Sequence, residues 1–337
     1  MAVTSSAPLN APPADAAPTP RYAIVDVARG VALLAMVVYH FAWDLSFLRL
    51  IETNIVSEPF WRLLARATAA SFLALVGASL VLAHRRGIRW RPFLRRLGTV
   101  ALAAAGITLA TRLTFPDSYI FFGILHCIAL SSVLALPFLR LPLTVTATAA
   151  LGALAAPSLL AAPVFDTPAL QWLGLMTYAP RTNDYVPIFP WFGAVLFGIV
   201  VARLLLQHAV ETRAFLWRPT ARPGRFIAFA GRHTLVVYLL HQPVLLGTLF
   251  LVAAALGPNE AAETAPFLRS CEASCVASGW PQQTCGRYCS CVTRDLKTSG
   301  LWADVLRDRL DDEKRERLAA ITHQCRPGVD ELPGESK

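Results

Sequence analysis

The sequence predicts an all-α fold, a polytopic membrane helical bundle with about seven transmembrane helices and a small cysteine-rich C-terminal tail. Of its 337 residues, 55% are hydrophobic and 16% are charged, against roughly 45–50% and about 25% in a soluble domain. The apolar residues are also grouped into stretches of about 20, the length at which a helix crosses a ~30 Å bilayer core. These observations exclude a disordered chain, a fibrous protein and an ordinary soluble enzyme.

Seven apolar stretches are the predicted spans. They cover 22–43, 60–82, 97–114, 118–139, 142–162, 187–206 and 231–256. Residues 1–20 are rich in Ala and Pro and contain neither a cationic start nor an apolar run, so we expect a disordered lead-in rather than a cleaved signal peptide. We expect the transmembrane domain over 21–258 and a separate tail over 259–337.

Arginine is distributed unevenly between the connections. The connection between spans two and three contains Arg85, Arg86, Arg89, Arg91, Arg95 and Arg96. In and around the connection between spans six and seven lie Arg203, Arg213, Arg218, Arg222, Arg225 and Arg232. The loops on the opposite side have one each, Arg49, Arg112 and Arg181. Because basic residues in short loops stay cytoplasmic, we expect a bacterial-type inner-membrane protein with its N-terminus inside and its tail outside. The net charge of +9 is then a topology signal, and no nucleic-acid partner is expected.

Six of the seven cysteines lie in the tail. They are Cys271, Cys275, Cys285, Cys289, Cys291 and Cys325. An even number of cysteines in an oxidising compartment favours disulfides, with 15 possible connectivities. Zinc ligation is the alternative, with His323 as the nearby imidazole, but we favour disulfides and expect no metal. We also expect residues 300–321 to form a charged amphipathic helix that Cys325 could hold in place.

The first span contains ionisable side chains, which are costly inside a bilayer and often mark function. Asp26 and Arg29 are three residues apart, so an ion pair is expected. Arg29 and His40 are eleven residues apart, which puts them on one helix face with roughly 16 Å between them. Asp44, one turn beyond, is expected to orient His40 as a general base. The alternative is a structural role, in which Asp26 and Arg29 cap the cytoplasmic end of the helix and His40 forms a hydrogen bond to a neighbouring helix.

Two further histidines lie in apolar surroundings. His126 ends the sequence FFGILH, and His241 lies in YLLHQP. Their expected depths match that of His40, so the three could converge on one pocket. Arg66, at the start of the second span, would add a basic lining unless it extends to the membrane interface. Trp191, in PIFPWFG, either lines an acceptor site or belongs to an interfacial aromatic belt.

Four motifs, in order over about residues 21–250, resemble those of the bacterial DUF1624 proteins, a group similar to the catalytic domain of heparan-alpha-glucosaminide N-acetyltransferase. The motifs are Arg21-x4-Asp26-x2-Arg29-Gly30 with Tyr39-His40-Phe41-x-Trp43-Asp44, then Phe122-Gly123-Ile124-Leu125-His126, Phe189-Pro190-Trp191-Phe192-Gly193, and Gly231-Arg232-His233-Thr234-x3-Tyr238-Leu239-x-His241-Gln242-Pro243. The Arg29-x10-His40 spacing is also similar to the arginine–histidine pair of the wider transmembrane acyltransferase superfamily.

The resemblance implies an integral membrane acyltransferase that moves an acyl group, expected to be acetyl, from cytoplasmic acetyl-CoA to an amine or hydroxyl of an extracytoplasmic glycan. Arg29 and Asp26, with Arg66 and Trp191, would bind the substrates, and Arg29 would attract the phosphates of the donor. His40 would be either the base or the acyl carrier, supported by the other three candidates Asp44, His126 and His241.

Three other classes of function stay open at this stage. Intramembrane Arg, Asp and His residues also occur in proton-coupled transporters. Paired histidines on facing helices can ligate haem iron in an electron carrier. The third alternative is an assembly protein that acts through its tail.

Overall fold

The structure is a computed structural model that describes residues 22–207, 217–257, 259–306 and 309–326. The expected lead-in 1–20, Arg213 and residues 327–337 of the tail lie outside these ranges. Within them the chain forms twelve α-helices and no β-strand. The helices are α1 (Ala23–Phe47), α2 (Pro59–Ala83), α3 (Trp90–Thr114), α4 (Ile124–Leu134), α5 (Leu143–Leu160), α6 (Ile188–Gln207), α7 (Arg222–Arg232), α8 (Thr234–Leu256), α9 (Glu260–Ala277), α10 (Gln282–Thr298), α11 (Trp302–Leu306) and α12 (Asp312–Gln324).

The predicted all-α membrane fold is confirmed. Six of the described helices are long and apolar enough to cross a membrane: α1, α2, α3, α5, α6 and α8. The fourth predicted span, 118–139, differs because its α-helix has only 11 residues. That length corresponds to roughly 16 Å, about half of a bilayer core. Pro137 begins a separate 3-10 turn beyond the helix, so an apolar stretch of the right length is not one continuous helix.

The fourth stretch nevertheless runs from one end of α6 to the other. At the beginning of α6, the Val186 N–H donates to the Phe122 carbonyl at 3.1 Å. Near the end of α6, the Arg203 guanidinium donates to the Leu141 carbonyl at 2.6 Å. The segment between Phe122 and Leu141 therefore traverses the same thickness as α6, with a short helix between less regular ends.

Two other predicted boundaries differ from the observed ones. Helix α3 begins at Trp90 rather than at residue 97, because hydropathy marks the part of a helix inside the bilayer and not its arginine-rich first turns. The predicted span 231–256 is divided, since α7 ends at Arg232 and α8 begins at Thr234. Helix α7 is amphipathic, and its exposed Phe226 and Phe229 are typical of a helix at a membrane interface.

The described residues separate into two compact units. The first contains 22–40 and 59–244 without the gap at 208–216, and the second contains 41–58 and the described residues after 244. The boundary expected at residue 258 rests on composition and stays a prediction.

In the first unit, α6 packs against both α2 and α5. Glycines let the α2 and α6 backbones approach each other closely. A methyl group added at Gly77 would overlap the Val195 carbonyl, and one added at Gly198 would overlap the Ala74 carbonyl. Small residues at such crossings are the usual way for membrane helices to gain packing contacts. The fully buried Leu73 lies in the same core.

A second pair of glycines brings α1 against α7. A methyl group added at Gly30 would overlap the Ile227 carbonyl, and one at Gly231 would overlap the Asp26 carbonyl. The first turns of α1, which contain Asp26 and Arg29, are therefore held by direct backbone contact.

In the second unit, α9 and α10 form a hairpin joined by two disulfides, Cys271–Cys289 and Cys275–Cys285. A third, Cys291–Cys325, joins α10 to the end of α12. The disulfide prediction is confirmed over the zinc alternative. The prediction of a single helix over 300–321 was wrong. Helix α11 ends at Leu306 and α12 begins at Asp312, and residues 307–308 between them lie outside the described ranges. A new N-cap begins α12, where the Asp311 carboxylate accepts from the Lys314 N–H at 2.9 Å.

Replacing Gly198 with Ala would put a methyl group against the Ala74 carbonyl. We expect the free energy of unfolding to fall by about 1–3 kcal/mol, the usual cost of overpacking a core. The measurement is the thermal unfolding midpoint of the purified protein in detergent. Gly106→Ala in α3 is the matched control, since nothing lies within 4 Å of a methyl group added there. Equal midpoints for the two variants would contradict this interpretation.

Candidate active site

Arg29 is held by two neighbouring side chains. Its guanidinium lies 3.5 Å from the Asp26 carboxylate, one turn away on α1, so the expected ion pair is present. It also donates a hydrogen bond of 2.5 Å to the Ser79 hydroxyl on α2. The Arg29 side chain keeps 25% of its surface exposed. It is therefore oriented by the protein and still accessible to a ligand.

A cavity of about 140 Å³ lies between α2, α3 and α4. His84, Arg89 and Arg96 contribute ionisable side chains to its lining, and Phe93 and Ile128 contribute apolar surface. The Arg96 guanidinium is within electrostatic range of Arg29. Two like charges this close are unfavourable by themselves, so this part of the first unit is suited to bind an anion.

His40 and His241 are brought together. Their ring centroids are 4.9 Å apart with an interplanar angle of 63°. The Nδ1 atom of His40 and the Nε2 atom of His241 are buried, and neither has a hydrogen-bond partner in the described part of the chain. Buried polar atoms are almost always paired, so two unpaired nitrogens on neighbouring imidazole rings suggest a site that a ligand or water completes.

The hydrogen bond of His241 determines its tautomer. Its Nδ1 lies 2.6 Å from the Tyr238 carbonyl oxygen, and a carbonyl can only accept. In neutral His241 the proton is therefore on Nδ1, and the lone pair is on the unpaired Nε2. This leaves Nε2 able to accept a proton.

His126 uses both of its ring nitrogens inside the protein. The Gly123 N–H donates to Nδ1 at 3.2 Å, and Nε2 lies 3.2 Å from the Thr108 hydroxyl. That hydroxyl donates to the Ile120 carbonyl at 2.7 Å, so it accepts from His126. The arrangement ties the beginning of α4 to α3 and is typical of a positioning residue.

Three other predicted site residues have separate surroundings. Asp44 is fully buried and belongs to the second unit, so its hydrogen bond to His40 stays a prediction. Arg66 is exposed on α2. Trp191 is half-buried and packs against the apolar core of the first unit. Substrate contacts by Arg66 and Trp191 also stay predictions.

Comparison with known families decides the class of the protein. The family model described as "Heparan-alpha-glucosaminide N-acetyltransferase, catalytic" matches residues 21–243, well over half of the chain. The chain belongs to this family. No curated protein and no solved structure matches it. The resemblance predicted from four motifs is thus confirmed, and the chain is a multi-pass membrane protein of an acetyltransferase family.

Near the candidate site lie three residues that sequence reasoning missed, Ser79, Arg96 and Asp184. Ser79 was hidden in an apolar span, and Arg96 was interpreted as a topology charge alone. Asp184 lies in the segment between α5 and α6, where its carboxylate accepts from the Ile124 N–H at 3.0 Å. It is also within electrostatic range of the Tyr39 and Tyr238 hydroxyls, which neighbour His40 and His241. The sequence shows Asp184 as a carboxylate three residues before Pro187, but no neighbouring residue indicates which groups it contacts.

Burial raises the pKa of Asp184 to about 6, and its hydrogen bond from the Ile124 N–H opposes part of that rise. The helix N-terminus also favours the charged form, but burial dominates. Asp184 therefore binds its proton more tightly in the folded state than in the unfolded state.

Asp184→Asn removes this ionisation and keeps an oxygen acceptor. In the wild type, the free energy of unfolding should fall as pH rises from about 4 to about 6, because the folded state must release a proton it holds tightly. The midpoint difference, variant minus wild type, should rise over that window by a few degrees and be flat above about pH 7. Thermal unfolding in detergent at pH 4 to 8 checks this, and a pH-independent difference would contradict it.

Proposed function

We propose that this chain is an integral membrane acetyltransferase that moves an acetyl group from cytoplasmic acetyl-CoA to an amine or hydroxyl of an extracytoplasmic glycan. The observation that carries the proposal is the His40–His241 pair, with two unpaired buried nitrogens. It lies in a chain of an acetyltransferase family, and His40 is on the same helix as Arg29. The roughly 16 Å between Arg29 and His40 suits an extended donor whose phosphates and thioester are far apart.

The proposed orientation has the N-terminus in the cytoplasm and the tail outside. The arginine-rich connection between α2 and α3 supports it, since basic short loops stay inside. Three disulfides in the tail also support it, because disulfides persist in oxidising compartments such as the periplasm. Seven crossings, counting the interrupted fourth one, are consistent with termini on opposite sides.

The donor end is proposed at Arg29 and Arg96. Asp26 balances only one of these two charges, so the region keeps a net positive charge for phosphate groups. Guanidinium groups bind phosphates through paired N–H donors. The neighbouring cavity, with Arg89 and His84 in its lining, would add contacts to the same part of the donor.

The reacting end is proposed at His40 and His241. In one route, an imidazole removes a proton from the acceptor amine or hydroxyl while that atom attacks the acetyl carbonyl. The carbon–sulfur bond then breaks, and the thiolate leaves and is protonated. In the other route, a His40 nitrogen attacks the acetyl carbonyl first, the carbon–sulfur bond breaks, and the CoA thiolate leaves and is protonated; the acceptor then attacks the acetyl-imidazole, and its N–C bond breaks to release His40. His40 is thus the base in the first route and the acyl carrier in the second, where His241 Nε2, supported by the Tyr238 hydrogen bond, takes the proton of the acceptor. His126 acts as a positioning residue.

The geometry favours acyl transfer over a haem site at this pair. Haem iron ligated by both histidines would need the porphyrin plane between the rings. His40 and His241 are in edge contact at 4.9 Å, which leaves no room for a macrocycle.

His40→Ala and His241→Ala should each lower acetyl-CoA hydrolysis or self-labelling by a factor of about 10²–10⁴, as expected for loss of a proton acceptor or of the acyl carrier. The measurement uses radiolabelled acetyl-CoA and purified protein in detergent. His233→Ala is the matched control, because His233 is exposed and its ring bonds the Phe229 carbonyl of the preceding helix α7. Activity retained in both site variants, or lost equally in the control, would contradict the assignment.

Arg96→Gln should weaken binding of acetyl-CoA about tenfold or more, because a charge-assisted hydrogen bond contributes roughly 1.5–3 kcal/mol. Binding of acetyl-pantetheine, which lacks the nucleotide, should not change. Titration calorimetry of both ligands measures the difference. Arg95→Gln is the control on the same helix, since Arg95 does not line the cavity. A variant that loses both ligands equally would argue against a phosphate role.

A further inference from the structure

The second unit has a groove of its own. Its volume is about 410 Å³, within the range of about 300–1,000 Å³ typical of small-molecule sites. It is lined by aromatic, basic and hydroxyl side chains, Ser278, Trp280, Tyr288, Thr322, His323 and Arg326. None of these residues lies within the range 21–243 matched by the family.

The groove is built on a rigid frame. Cys275, in its wall, is bonded to Cys285 across the α9–α10 hairpin. The α12 side is attached to α10 by the Cys291–Cys325 disulfide, directly beside Arg326. A site whose walls are covalently joined loses little conformational entropy on binding.

The groove offers two hydroxyl oxygens whose own protons are already used. The Ser278 and Thr322 hydroxyls donate to the Ser274 and Ala319 carbonyls of their own helices, both at 2.9 Å. Their oxygens therefore face a ligand as acceptors.

The remaining polar groups supply hydrogen-bond donors, and the Tyr288 hydroxyl and the His323 imidazole can accept as well. Among the described residues, the indole N–H of Trp280 has no hydrogen-bond partner, and the same holds for the hydroxyl of Tyr288. The Arg326 guanidinium is a permanent cation with several N–H donors. Among the described residues that line the groove there is no carboxylate, so none of them neutralises the charge of Arg326.

These properties match one class of ligand. The C–H faces of a sugar ring pack on aromatic rings such as Trp280 and Tyr288. Sugar hydroxyls can donate to the Ser278 and Thr322 oxygens, and a carboxylate on the ring can accept from Arg326. We propose that the groove on the disulfide-bonded unit binds an acidic saccharide. This inference does not depend on acetyl transfer in the first unit.

The test is titration calorimetry of the full chain in detergent. The probes are trigalacturonate, its fully methyl-esterified neutral form, and citrate, a carboxylate without sugar rings. We expect saturable binding of trigalacturonate, with the neutral form and citrate each at least tenfold weaker. Absent binding of trigalacturonate at millimolar concentration would overturn the proposal, as would equal binding of the neutral form. Equal binding of citrate would reduce the groove to a simple anion site.

Variants locate the binding in the groove. Trp280→Ala and Arg326→Gln should each weaken trigalacturonate binding at least tenfold. Arg315→Gln should leave it unchanged, because Arg315 is an exposed residue of α12 outside the groove, with a surface ion pair of 3.8 Å to Asp312. The three disulfides must be intact in each variant. This is checked by thiol labelling of the denatured chain, which should detect only the free Cys127. Full binding by both groove variants would overturn the assignment.

Discussion

Direct backbone contact between helices, made possible by glycine, is the constraint on which the first unit depends. Helices α2 and α6 touch at Gly77 and Gly198, and α1 touches α7 at Gly30 and Gly231. In a bilayer, lipid tails are as apolar as the side chains they replace, so helix association relies on close packing and hydrogen bonds. Backbone contacts of this kind leave the two helices little freedom to slide or rotate against each other.

That rigidity has a direct consequence for the polar groups. The Gly30 contact lies next to Arg29, whose guanidinium reaches Ser79 on α2, two residues beyond Gly77. The Gly231 contact holds the end of α7 only ten residues before His241. The α1–α7 glycine crossing therefore positions the basic end of the proposed site at Arg29, and α1 continues from there to His40, roughly 16 Å away. A preorganised site of this kind needs little rearrangement when substrates bind.

Hydropathy and helix periodicity were enough to predict the spans and the Asp26–Arg29 pair, because both are local properties of the chain. Lateral packing is not local. The sequence predicted only that His40 and His241 could share a pocket, not that their rings lie 4.9 Å apart. The hydrogen bond of His126 Nε2 depends on Thr108, eighteen residues away. The interrupted fourth span was missed because composition reports burial in the bilayer and not helix continuity. The pairing of six cysteines is one of 15, and only the fold selects it.

The central claim is that the acetyl group crosses the membrane while CoA stays on the cytoplasmic side. Sealed vesicles of known orientation test this most directly, with radiolabelled acetyl-CoA on the cytoplasmic face and glucosamine on the other. We predict labelled acetyl, as acetate or acetylated glucosamine, on the far face, and CoA retained on the face of addition. Label and CoA that both stay on the cytoplasmic face, at the rate of vesicles without the protein, would contradict the claim.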